Sequence, residues 1–102
     1  PALPVTDTVK TADETGRVTG TPDRSTLFAV QTPQVFQADV LKAALQSAAE
    51  AKLPLTDDCA AVERLGKQVY LLPGNPENIK ITRPLDLAVA AAILRQREER
   101  NA

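Results

Sequence analysis

From Val5 to Lys10 the chain alternates, with Val5, Asp7 and Val9 on one side and Thr6, Thr8 and Lys10 on the other. A period of two predicts a strand. Ala12 to Gly16 is a polar, glycine-ended turn, and Arg17 to Thr21 can return as a second strand. The pattern is a hairpin with a loop of about five residues. Its faces carry Thr, Asp, Lys and Arg, and only three valines are available to bury. An isolated two-stranded hairpin is marginal in water. Residues 1–26 are therefore expected to form an arm that leans on another surface, either further chain or a second subunit.

Leu27 to Val30 is a short apolar run of strand type, stopped by Thr32-Pro33. Beyond it Phe36, Val40, Ala44 and Ala48 recur at spacing four, with Leu41 and Leu45 beside them, which predicts a helix over residues 37–51 with one apolar stripe. Lys52 to Leu55 is a connector. Thr56 is placed to cap a second helix, with Asp57 and Asp58 in a first turn where the helix dipole favours carboxylates. That helix runs to Gly66, a suitable residue just past a helix end. Val69 to Leu72 reads as a buried strand closed by Pro73-Gly74-Asn75-Pro76, and Asn78 to Ile81 as a further short extended piece. Thr82 is placed to cap a last helix over residues 84–99, with Pro84 tolerated in its first turn. Strand–helix–helix–strand–helix predicts an α/β fold with helices covering a sheet. So few strands make a poor sheet alone. A fragment of a larger doubly wound α/β enzyme is expected, with a small autonomous α+β domain as the alternative.

Composition narrows the chemistry. There is no histidine, which removes Ser-His-Asp and Cys-His catalysis and imidazole metal sites together. The single Cys59 excludes an intrachain disulfide and a multi-cysteine zinc site, and fits a reducing, cytoplasmic setting. Twelve Lys and Arg against thirteen Asp and Glu give a net charge of −1, so no global positive field recruits nucleic acid or an anionic membrane. The longest apolar run, Leu87 to Leu94, falls far short of the roughly 20 residues that span a bilayer. The chain begins at Pro1 and contains no Met, which suggests a piece of something longer or a trimmed product.

Five segments carry a resemblance: Pro4-Val5-Thr6-Asp7-Thr8-Val9-Lys10, Asp23-Arg24-Ser25-Thr26-Leu27-Phe28, Gln31-Thr32-Pro33-Gln34-Val35-Phe36, Thr56-Asp57-Asp58 and Asn78-Ile79-Lys80-Ile81-Thr82. In this order and spacing the chain resembles the C-terminal part of the 2-C-methyl-D-erythritol 4-phosphate cytidylyltransferases of non-mevalonate isoprenoid synthesis. The resemblance implies a Rossmann-like nucleotidyltransferase fold with a protruding β-hairpin arm. It implies a reaction of CTP with methylerythritol 4-phosphate, assisted by Mg²⁺, that yields the cytidine diphospho-sugar alcohol and pyrophosphate. It also implies a homodimer whose arms interlock. By position, Thr8 and Arg24 match arm residues that reach the methylerythritol phosphate in the partner's site. Thr32, Thr56 and Lys80 match core residues that contact the same substrate, and Arg24 and Lys80 match the pair that positions its phosphate. The nucleotide loop and the Mg²⁺ ligands are expected upstream of Pro1, so no metal ligand is expected here, and these 102 residues alone are expected to be inactive. Phe28 stands where the family commonly has Trp, and Cys59 where a small residue is usual. A ribitol 5-phosphate cytidylyltransferase is the neighbouring alternative, and a non-catalytic dimerisation and substrate-binding half is the alternative of another class.

Each of these residues also has an ordinary reading. The three threonines suit a strand, a strand end and a helix cap. Arg24 beside Asp23 suits a turn ion pair worth under ~1 kcal/mol. Lys80 suits a solvent-facing strand position, the Asp57-Asp58 pair a helix first turn, and Cys59 a small buried hydrophobe. The ordered co-occurrence favours the functional reading.

Overall fold

The apolar run at 27–30 finds its strand partner at the start of the chain. In the computed structural model, which describes all 102 residues, strand β1 (Ala2–Pro4) pairs antiparallel with a strand over Phe28–Val30, Ala2 facing Val30 and Pro4 facing Phe28. Between them in sequence lie β2 (Thr11–Ala12) and β3 (Val18–Gly20), so the Phe28–Val30 strand is β4. Ala2 is buried between two neighbours, because Pro73 forms a parallel bridge on its other side and the Gly74 N–H donates to the Ala2 carbonyl at 2.9 Å. The architecture is mixed α/β. Two compact units form, Pro1–Thr32 with Pro73–Ala102, and Pro33–Leu72. The hairpin therefore groups with the C-terminal helix.

The hairpin is present but displaced from its expected position. β2 pairs antiparallel with β3, while Val5 to Lys10, expected as its first strand, lies outside any strand. The Thr6 carbonyl accepts from the Arg24 guanidinium at 2.7 Å, not from a neighbouring strand. The turn is built on Asp13, whose carboxylate accepts from the Thr15 N–H, the Thr15 hydroxyl and the Arg17 N–H at 2.7–3.0 Å, with Gly16 at φ 87°. Such a loop needs one residue in the left-handed region, and Gly enters it without steric cost.

Within Pro33–Leu72, helix α1 (Ala38–Glu50) turns the predicted stripe onto α2 (Asp58–Arg64). Ala44, Ala61 and Val62 form the buried contact, with Phe36, Val40, Leu41 and Val69 packed around it. Small residues at the crossing let the helices approach closely. The end of α1 carries an unexpected device. The Leu53 N–H donates to the Ala48 carbonyl and the Lys52 N–H to the Ala49 carbonyl, with Lys52 at φ 53°. This is a Schellman ending, with lysine where glycine is usual. The α2 cap is Asp57, not Thr56: the Asp57 carboxylate accepts from the Ala60 N–H at 2.9 Å. Val69 to Leu72, expected as a buried strand, pairs with no strand, and Tyr70 and Leu72 are exposed. Apolar composition permits a strand, but a ladder partner is needed to make one.

Helix α3 (Pro84–Asn101) begins with Pro84 at its first position, and its cap is Arg83, one residue past the expected Thr82. Asp86 does the capping from inside the first turn, accepting from the Thr82 N–H, the Thr82 hydroxyl and the Arg83 N–H at 2.9–3.2 Å. Asn78 to Ile81, expected as a short extended piece, forms no strand, and Ile79 and Ile81 line a cavity together with Ala90, Ile93 and Leu94 of α3. No helix is long and apolar enough to cross a membrane.

Two outcomes follow from these ends. An L-residue in the left-handed region carries a steric penalty that glycine avoids, partly offset by glycine's larger entropy loss. Lys52→Gly is expected to raise stability by about 0.5–1 kcal/mol, read as a higher thermal midpoint. The hydrogen bonds from the Thr82 N–H, the Arg83 N–H and the Thr82 hydroxyl hold the Asp86 carboxyl below its ordinary 3.8. A depressed folded-state pKa contributes stability that is complete above the unfolded value and lost as pH falls through the folded one. The amide chemical shifts of Thr82 and Arg83 should hold steady above about pH 5 and move as pH drops through and below 3.8. Asp86→Ala should remove that step.

Candidate functional site

Arg24 sits in a short 3₁₀ turn, Arg24–Thr26, that Asp23 caps by accepting from the Ser25 N–H at 3.1 Å and the Ser25 hydroxyl at 2.8 Å. Those bonds, the hydroxyl first, hold the Asp23 carboxyl below its ordinary range. The Asp23–Arg24 ion pair of the ordinary reading does not form, because the carboxylate faces Ser25 and the guanidinium faces the Thr6 carbonyl. One of the five N–H donors of Arg24 is thereby fixed. Thr8 lies two residues beyond Thr6 on the same exposed stretch, so the structure ties the Thr8 and Arg24 segments together.

A second pair is assembled through carboxamides. The Gln31 Nε2 donates to the Asn75 carbonyl at 2.8 Å and the Asn78 carbonyl at 3.0 Å, while its Oε1 accepts from the Asn75 N–H at 3.3 Å. In return the Asn78 Nδ2 donates to the Thr32 carbonyl at 2.7 Å. Thr32 is thus joined to the segment that carries Lys80, two residues past Asn78. Glu77, in the same turn, accepts from Arg97 at 3.1 Å and Arg100 at 2.7 Å, which anchors the turn to α3. The Arg97 hydrogen bond, followed by the charges of both arginines, holds the Glu77 carboxyl below its ordinary range. Thr32 and Lys80 are both exposed.

Thr56 belongs to the other compact unit, as an exposed residue next to the Asp57 cap. There Gln34 clasps the start of α2: its Nε2 donates to Asp57 at 3.2 Å and its Oε1 accepts from the Cys59 N–H at 3.2 Å. Cys59 is half-buried, and desolvation together with the neighbouring Asp57 and Glu63 pushes its thiol pKa up. It is not poised as a nucleophile. No group of three or more acidic, Cys or His side chains is placed to hold a metal ion.

Within the unit Pro1–Thr32 with Pro73–Ala102, hydrogen bonds thus tie the segment of Thr8 to Arg24 and the segment of Lys80 to Thr32, while Thr56 lies in the other unit. Hydroxyls, a guanidinium and an ammonium all donate hydrogen bonds, the donor set of an anion site. Sequence reasoning missed Gln31, Asn78, Gln34 and Glu77. The signal for Gln31 and Gln34 was two carboxamides flanking a Thr-Pro pair, whose fixed φ and restricted preceding residue leave backbone groups without ladder partners.

The chain is similar to known proteins over most of its length. The model of the 2-C-methyl-D-erythritol 4-phosphate cytidylyltransferase family matches residues 1–96. The chain is 56% identical over 97 residues to the cytidylyltransferase of that name from Nocardia farcinica, covering 95% of this chain and 40% of that protein. It is 51% identical over 96 residues to that of Desulforamulus reducens, covering 94% and 41%. Among solved structures, the same-named enzyme of Thermus thermophilus superimposes with a TM-score of 0.80 at 37% identity, covering 93% of this chain and 46% of that one. The 4-diphosphocytidyl-2C-methyl-D-erythritol synthase of Anaerococcus prevotii gives 0.81 at 32%, covering 92% and 44%. The chain thus spans about two fifths of the length of the relatives it matches. With a match that runs through all five resembling segments, this chain belongs to the 2-C-methyl-D-erythritol 4-phosphate cytidylyltransferase family.

Proposed function

We propose that these residues form the sugar-phosphate side of an enzyme that joins CTP and 2-C-methyl-D-erythritol 4-phosphate, releasing pyrophosphate. The observation that carries the reading is the family match over residues 1–96, which includes every one of the five site residues. The donor set agrees with it. The attacking group is a phosphate carrying about −1.5 to −2 charges near neutrality. It must approach the α-phosphate of a polyanion, and two unit charges 4 Å apart repel by roughly 4 kcal/mol at an effective dielectric near 20. Arg24 offers a planar fork to phosphate oxygens and Lys80 a compact point charge. Thr8, Thr32 and Thr56 add neutral donors that fix orientation. The nucleophile is already an anion, so no general base is called for and a chain without histidine is equal to the task.

Mg²⁺ would stabilise charge on the nucleotide phosphates. The hydroxyls and cations gathered here do not suit it as ligands, so its carboxylates, and the binding of CTP, are assigned to the remaining family length. The 102 residues alone are then inactive. We read the arm as the dimer element, with Thr8 and Arg24 serving the partner's site. Residues 11–19 of the hairpin are all exposed, which supports this, as does the marginal stability of a lone two-stranded ribbon. The parallel bridge between Ala2 and Pro73 supports a place for this segment in a doubly wound sheet.

Pyrophosphate release by the full-length protein, supplied with CTP, Mg²⁺ and either methylerythritol 4-phosphate or ribitol 5-phosphate, tests the reading. Turnover should favour methylerythritol phosphate, and preference for ribitol phosphate would replace this reading with the neighbouring one. A charge-assisted hydrogen bond is worth about 1.5–3 kcal/mol, so Arg24→Ala and Lys80→Ala should each lower kcat/KM roughly 10- to 150-fold. Thr8→Ala, losing a neutral donor, should lower it roughly 2- to 10-fold. Near-normal turnover in Arg24→Ala would remove its assigned role.

A further inference from the structure

The Gln31 side chain does what a neighbouring strand would do. Its carboxamide meets both the N–H and the carbonyl of Asn75, as a paired peptide group would, and then reaches the Asn78 carbonyl with its second N–H. Both donors and the acceptor are thereby engaged. On the main chain, the Gln31 N–H donates to the Pro1 carbonyl at 2.9 Å, so the residue is held at the edge of the β1–β4 pair while its side chain holds the next segment. The Asn78 carboxamide answers by taking the Thr32 carbonyl. Neither Thr32 nor Lys80 lies in a helix or strand, and beyond the Ala2–Pro73 bridge these side chain–backbone links join the two segments that carry them.

Gly74 makes the link possible. A methyl group there would overlap the Gln31 Oε1 and press on the Ala2 carbonyl. The Gly74 backbone is not in the left-handed region, so the demand for glycine is one of space and not of φ.

We propose that Gln31 and Gly74 are positioning residues for the sugar-phosphate substrate: the Gln31 carboxamide, seated over Gly74, fixes the spacing of Thr32 and Lys80. Neither touches the substrate. The proposal rests on the cytidylyltransferase reading and adds to it the device that presets the distance between two of its substrate contacts. Misplacing a contact group by about 1 Å can cost roughly 100-fold in rate, which sets the scale of the effect.

The test uses the full-length protein with three variants, Gln31→Ala, Gly74→Ala and the double variant. KM for each substrate, kcat and the thermal midpoint are measured for all of them. Gln31→Ala should lower kcat/KM for methylerythritol 4-phosphate roughly 10- to 100-fold while leaving KM for CTP unchanged. Gly74→Ala should do the same by displacing the carboxamide, and the double variant should be no worse than the more impaired single one, since both remove one device. Gln31→Glu keeps the length and the acceptor but loses both donors, so it should not rescue. A merely structural role would instead lower the thermal midpoint and degrade both substrates together, and that outcome overturns the proposal. So does a Gln31→Ala enzyme with wild-type constants. Wild-type protein that does not turn over methylerythritol phosphate would instead overturn the functional reading, and the proposed role with it.

Discussion

Backbone amides must be paired, and the stretch from Pro73 to Arg83 has almost no ladder to pair them. One parallel bridge at Pro73 is its only sheet contact. Local backbone bonds pair the Asn78 and Ile79 N–H groups with the Asn75 and Glu77 carbonyls, and side chains add Gln31 for Asn75 and Asn78, and Asp86 for Thr82 and Arg83. An unpaired polar group costs about 1–3 kcal/mol once it is removed from water, so these links decide whether the stretch holds one conformation. Glu77 adds a charged anchor to α3 through Arg97 and Arg100. Lys80 stands inside this laced stretch and Thr32 at the other end of the lacing. On the proposed reading, the spacing of Thr32 and Lys80 comes from carboxamide bonds more than from a strand register.

The same logic operates on a smaller scale in Pro33–Leu72. Its buried contact is made by Ala44, Ala61 and Val62, and no large side chain of the chain is fully buried. Small residues bring backbones close but supply little apolar area, at roughly 25 cal/mol per Å². Precision at the helix ends carries more of the specification. Asp57 caps α2, Gln34 bridges that cap to the next amide, and Lys52 closes α1 in a conformation that most lysines avoid. Thr56, next to the cap, is placed by these bonds as much as by helix packing.

Periodicity was legible where a segment satisfies itself. The spacing of Phe36, Val40, Ala44 and Ala48 located α1 to within one residue at either end, and the Leu27–Val30 run located β4. It misled where a segment depends on a distant partner. Val5 to Lys10 alternates like a strand, yet a guanidinium takes the Thr6 carbonyl, and β1 at Ala2–Pro4 carries no pattern at all. Val69 to Leu72 has the composition of a strand without a ladder. The caps slipped by one residue for a similar reason: Thr56 and Thr82 look like caps, but the carboxylates of Asp57 and Asp86 are the stronger acceptors nearby. The five candidate residues were visible only through resemblance, since each has an ordinary reading by itself. Gln31 and Asn78 stood inside the quoted segments without a role, because the partners of each carboxamide lie 44–47 residues away in sequence and no local pattern encodes them.

The distribution of charge bears directly on the proposed chemistry. A chain with net charge −1 offers no general attraction to a phosphate, so any attraction must be local. Four of its carboxylates, Asp13, Asp23, Glu77 and Asp86, are committed to hydrogen bonds that lower their pKa, and all four are spent on turns and helix ends. Both ion pairs of the chain involve Glu77, and neither includes Arg24 or Lys80. Outside both ion pairs, these two cations can meet an anion without first giving up a carboxylate. On the proposed reading that helps the transition state as well as binding, because donors already oriented need no reorganisation as charge shifts between the phosphates. On that reading the arginine of one subunit and the lysine of its partner, each on a separately laced segment, can grip one phosphate from two directions and hold it in line with its target.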